Sequence, residues 1–210
     1  MIGARLPLAD GVALGRTRIS PTVMLDLDDV LCMSKPWGGF DAIAVVEGRH
    51  PDPTVVYRDL FLRSAVGALK EIHGQMAGDV RYVISSTWRE SFTRPALEGV
   101  FRQSGLGFVA DALVVGDRWR TPLPSGNSRR IDEIAEWLDR HHQGEPFAII
   151  DDTWSGASMA SVLGPTEPAR PHPFAERVVL CQENVGLTDA HVSFVVAALR
   201  RGVVMPGVTA

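Results

Sequence analysis

The run Thr22-Val23-Met24-Leu25-Asp26-Leu27-Asp28-Asp29 sets three carboxylates at the end of a short apolar stretch. In an extended strand, alternation turns Asp26 and Asp28 to the same side. Asp26 follows the apolar run directly, at the carboxyl end of such a strand, where open α/β sheets bind their ligands. Carboxylates gathered at the edge of a core repel one another and lose hydration, and a hard divalent cation offsets that cost. Taken alone, these residues fit an acidic turn as well as a metal site. Two more apolar runs end in comparable chemistry. Arg81-Tyr82-Val83-Ile84 leads into Ser85-Ser86-Thr87-Trp88-Arg89, and the run from Phe147 to Ile150 leads into Asp151-Asp152. One polar strand end is ordinary; three in one chain suit phosphate or metal.

Those groups need elements to hold them on one rim. Leu62, Ala65, Val66, Leu69 and Ile72 recur at helical spacing up to Gly74. A second helix starts near Pro95, carries Leu97, Val100 and Phe101 on one face and closes at Gly105. Ile131, Ile134, Ala135 and Leu138 mark a third, and Thr188 begins a last one with Val192, Val195, Val196 and Leu199 inward. Besides the three strands above, Ala112 to Val115 and Val178 to Leu180 read as strands. Strands alternating with helices predict an α/β fold with a mainly parallel sheet and right-handed crossovers. Residues 1–20 read as an N-terminal arm and 21–205 as a single domain. The Pro- and Gly-rich stretch at about 33–57 reads as a long irregular loop, a kind that tends to be functional.

Composition narrows the class. The chain has 210 residues, enough for one domain with a substantial core, and a formal net charge of -4. That balance argues against a broadly cationic nucleic-acid surface, although a local basic groove remains compatible with it. Cys32 and Cys181 are too few for a disulfide framework and read as small buried hydrophobes. No stretch has the length of a membrane span, and Arg5 and Asp10 interrupt any signal-peptide pattern, so the expectation is a cytoplasmic protein without a membrane partner. The histidines, His141-His142 included, lack metal-ligand spacing and read as surface residues.

In this order, Asp-x-Asp, Ser, a basic residue and a second acidic strand end resemble the haloacid-dehalogenase-like phosphohydrolases. Ser85-Ser86-Thr87-Trp88-Arg89, Arg130-x-x-Glu133-Ile134-x-x-Trp137-Leu138, Ile149-Ile150-Asp151-Asp152 and Gly186-Leu187-Thr188 narrow this to the branch found as a domain in Swiss-army-knife RNA-repair proteins. The similarity spans about Val23 to Leu199. It implies a Rossmann-like three-layer sandwich with minimal cap and a Mg²⁺-dependent phosphatase acting through an aspartyl-phosphate, on RNA or DNA phosphate ends. Asp26 would be nucleophile and metal ligand, and Asp28 the acid/base whose main-chain carbonyl also binds metal. Asp151 and Asp152 would complete the metal site, one directly and one through orientation. Asp29 stands where many relatives have Gly and reads as a bystander.

Ser85 would donate to a phosphoryl oxygen, with Ser86 as the alternative. Arg130, or else the adjacent Arg129, would bring positive charge to the phosphoryl group at a helix start. Trp88 reads equally as a base-stacking platform or a core aromatic. Arg89 would position the aspartates or contact substrate, and Arg118-Trp119-Arg120 reads as an exposed variable loop or, since it mixes cationic and aromatic groups, as a nucleic-acid surface. The competing enzyme reading is a small-molecule phosphatase or nucleotidase. The non-enzymatic one is a phosphate- or metal-binding partner domain, which the presence of both Asp26 and Asp28 disfavours.

Overall fold

The computed structural model describes residues 19–162, 170–171 and 173–201. Most of the expected N-terminal arm and the last few residues of the expected domain lie outside them. Four strands form one all-parallel sheet: β1 (Thr22–Leu25), β2 (Arg81–Ile84), β3 (Phe147–Asp152) and β6 (Val178–Cys181), in the order β2-β1-β3-β6. A separate antiparallel pair joins β4 (Ser161–Val162) to β5 (Arg170–Pro171). The central strand β1 is buried along its whole length, as expected of a parallel strand covered on both faces.

Alternation along β1 distributes its side chains between two apolar layers. Val23 and Leu25 join a core with α3 (Arg63–Gln75), α5 (Arg94–Gln103) and α9 (Asp189–Arg200). Met24 and Val83 face the other way, against Ile131, Ile134, Trp137 and Leu138 of α7 (Arg130–His141). The result is the expected α/β sandwich of three layers. Among the described residues no helix is long and apolar enough to cross a membrane.

Two sequence expectations need correction. The stretch at 33–57 is not irregular: it folds as α1 (Gly39–Val46) and most of α2 (Pro53–Asp59). Its Gly and Pro residues bound helices instead of breaking them. Gly38 precedes α1 and its N–H is taken by Asp41, while Gly48 follows the helix with a φ of 71°. Asp52 accepts from the Thr54 N–H, and Pro53 occupies the first helical position, where its missing donor costs nothing. Ala112 to Val115 is likewise not a full strand. Tyr82 N–H donates to Ala112 O, and Val114 N–H donates to Tyr82 O. That leaves a single bridge, Tyr82 to Leu113, between α6 (Gly107–Asp111) and the 3-10 turn at Gly116–Trp119. The helix on one side and the turn on the other leave too little extended chain for a longer ladder.

Candidate active site

The sheet register brings the polar strand ends level. Leu25 lies opposite both Ile84 and Ile150, so the next residues on the three strands are Asp26, Ser85 and Asp151. Two backbone bonds fix this row: Asp26 N–H donates to Ile150 O, and Ser85 N–H donates to Leu25 O, each at 2.9 Å. Asp26, Asp151 and Asp152 are all buried, and one carboxylate oxygen from each lies within 4.8 Å of the others.

Arg130 enters this cluster from the first position of α7, with its side chain only 8% exposed. Its guanidinium lies 3.5 Å from Asp26, 3.6 Å from Asp151 and 3.6 Å from Glu133. Arg129, the alternative, is exposed and bonded to Asp132. One guanidinium against three buried carboxylates leaves the cluster short of positive charge. Burial therefore pushes the Asp26 carboxyl up to about 7, with Arg130 pulling it down and Asp28 and Asp152 pushing it further up. Asp151 is raised in the same direction, first by burial and then by Asp26.

The donor set fits a hard dication. Asp151 Oδ2, Ser85 Oγ and two guanidinium nitrogens of Arg130 are buried without a hydrogen-bond partner. Buried polar atoms are seldom left so, and a cation or a bound anion would satisfy them. The two adjacent aspartates differ. Asp152 Oδ1 accepts from the N–H groups of Trp154 and Ser155, capping α8 (Thr153–Ala160). Asp151 Oδ1 accepts only from the Asp152 N–H, and its other oxygen accepts no hydrogen bond and lies 3.6 Å from Arg130 Nε.

The Asp28 carboxylate is not among the three clustered ones. Both of its oxygens accept from the Trp88 indole N–H, at 3.0 and 3.1 Å, and Oδ2 also accepts from the Thr87 hydroxyl. Burial pushes its carboxyl up while the Trp88 and Thr87 donors pull it down. Asp29 adopts a φ of 52°, a left-handed conformation in which Gly is at ease and Asp is tolerated. Its side chain accepts from Asn184 N–H and takes no place in the cluster.

A family model for the HAD domain in Swiss Army Knife RNA repair proteins matches residues 22–192. The chain belongs to this family. No curated protein and no solved structure matches it. Family membership marks this HAD domain as a hydrolase and suggests a phosphohydrolase, and its buried aspartate cluster fits a metal site.

Other expectations for this HAD domain meet a different geometry. Trp88 is not an open stacking platform: it is 4% exposed, stacks against Phe61 and Phe92, and uses its indole N–H to hold Asp28. Arg89 is engaged by internal partners. It is 1% exposed and donates to the carbonyls of Ser85, Ser86 and Pro122 and to Glu133. Ser86 Oγ accepts from the Trp88 N–H, whereas Ser85 Oγ is unpartnered. Trp119 is buried, so the Arg118-Trp119-Arg120 loop is not an aromatic surface; Arg120 donates to Arg89 O. The His142 side chain is 3% exposed and hydrogen-bonded to Glu145 O, not a surface group.

Sequence reasoning missed Glu133 as a hub. It accepts from both Arg89 and the Ser128 hydroxyl and lies beside Arg130. Its placement three residues into α7, on the side of Arg130, was the available signal. Thr87 and the exposed Phe40 were missed too, the second because its helix read as loop.

Proposed function

We propose that this domain is a Mg²⁺-dependent phosphohydrolase that cleaves phosphate monoesters on nucleic-acid ends through an aspartyl-phosphate on Asp26. The supporting observation is the level row of Asp26, Ser85 and Asp151 with Arg130 inserted beside it. Asp26, the Asp28 carbonyl and the Asp151-Asp152 pair would hold the cation. When bound, it supplies charge neutralisation between carboxylate and phosphate dianion.

The chain's own groups account for the remaining steps. Ser85 Oγ, free of internal partners, donates to a phosphoryl oxygen, and Arg130 faces the negative charge that grows there. An Asp26 oxygen attacks phosphorus as the bond from phosphorus to the ester oxygen breaks. Asp28 gives its proton to the departing alcohol. It then takes a proton from the water whose oxygen attacks phosphorus and releases Asp26 and inorganic phosphate. Burial, which favours a protonated Asp28, suits it to start as the acid. The choice of nucleic-acid ends as substrate draws on the family's occurrence in RNA-repair proteins.

Phosphate release from glycerol phosphate, a nucleotide and a 3′-phosphate-ended oligonucleotide, with Mg²⁺ and with chelator, tests this function. Asp26→Asn should lower Mg²⁺-dependent turnover about a thousandfold or more. Wild-type turnover in that variant would exclude the covalent route.

A further inference from the structure

Asp28, as the acid, marks the side on which the leaving alcohol sits. On that side opens a groove of about 410 Å³ whose walls include Asp28, Gly39, Phe40, Ile43, Trp88 and Phe92. This is within the range of pockets that enclose a nucleoside-sized group. Gly39 brings the start of α1 hard against the Asp28-holding indole: a Cβ there would lie 3.0 Å from Trp88 Nε1. The next side chain, Phe40, is thereby placed on the groove and left 88% exposed. No lysine or arginine lines the groove among the described residues, while Asp28 and Glu90 do. A second phosphate would be repelled there, whereas a neutral ring with amino donors would not.

We propose that this groove binds the nucleobase of the leaving nucleoside, with Phe40 as its stacking face. Base–aromatic stacking tolerates any base, because every base has a π-face. This rests on the phosphohydrolase function above and adds to it the class of leaving group. The base could belong to a free nucleotide or to the last unit of a polynucleotide.

The test compares kcat/KM for a nucleoside monophosphate with that for glycerol phosphate, which has no base. Phe40→Ala should lower this preference about tenfold, mainly through KM, and Phe40→Trp should restore it. Because Phe40 is almost fully exposed, neither change threatens the fold. An unchanged preference in Phe40→Ala, or a loss that Trp does not restore, overturns the proposal. Calorimetric titration of the Asp26→Asn protein with the same nucleotide, with and without Phe40→Ala, decides base binding without turnover. If no ester is hydrolysed yet Phe40→Ala weakens nucleotide binding about tenfold, the groove stands and the phosphohydrolase function falls. Equal binding with and without Phe40→Ala overturns the groove. A terminally phosphorylated dinucleotide that binds more tightly than the mononucleotide, with both sensitive to Phe40→Ala, supports the groove and assigns a polynucleotide end. Equal binding of the two, with the same sensitivity, supports it and assigns a free nucleotide.

Discussion

Asp26 and Asp28 are two residues apart yet have different surroundings, and this suits them to different roles. Asp26 faces other carboxylates and Arg130, while Asp28 faces the neutral donors Trp88 and Thr87. A donor to a carboxylate favours its charged form, so removing one raises the pKa. Trp88→Phe should therefore lower kcat about tenfold and move the pH–rate limb set by Asp28 upward; an unmoved limb would make Trp88 purely a packing residue. The buried cluster also ties stability to pH. The Asp26 carboxyl is raised from 3.8 to about 7 in the folded chain, and Asp151 is raised with it. A raised folded pKa means the native state holds the proton more tightly. Its stability contribution is full below the unfolded value and is lost as pH rises through the folded one. The metal-free protein should thus lose Tm between about pH 4 and about pH 7, and Mg²⁺ should raise Tm more at the higher pH. A Tm that climbs over this range without metal would contradict the cluster's charge state.

At the scale of elements, the site depends on how closely α8 approaches the sheet. Gly156 permits that approach: a Cβ there would overlap Leu180 Cδ2 and lie 3.1 Å from Asp151 Cβ. Gly156→Ala should destabilise the domain by about 1–3 kcal/mol through overpacking. Because Asp151 bears the contact, the variant should also need more Mg²⁺ for half-maximal activity. Urea unfolding and a Mg²⁺ titration measure the two effects. Stability and Mg²⁺ requirement both equal to wild type would show that α8 shifts freely. The start of α1 packs against Trp88, whose indole N–H holds Asp28.

At the scale of the molecule, charge limits how a nucleic acid could be held. The chain carries a formal net charge of -4, and Arg129, the exposed arginine beside the site, is paired with Asp132. Few phosphates can then be neutralised beyond the terminal one. For a phosphate-ended oligonucleotide, the plot of log kcat/KM against log salt should have a slope of magnitude about 1 or less. A slope of several units, measured across a salt series, would reveal a cationic track along the nucleic acid and overturn this expectation.

The strand ends and the amphipathic helices were legible in the sequence, because apolar runs and 3.6-residue spacing are local signals. Asp26, Asp28, Asp151 and Asp152 stood out for the same reason: each closes or closely follows an apolar run. The helices hidden in 33–57 were not legible, since Gly and Pro cap helices as readily as they break them. Sequence favoured Ser85 and Arg130 but left Ser86 and Arg129 open as alternatives. Adjacent residues have the same chemistry on paper, and only the sheet register and the position of Arg130 at the start of α7 put one of each pair beside Asp26. The sequence by itself determined which chemical groups were present and at which strand ends. The tertiary structure decided which of them meet, because partners such as Trp88 and Asp28 are 60 positions apart and are joined only by the parallel register of β1 and β2.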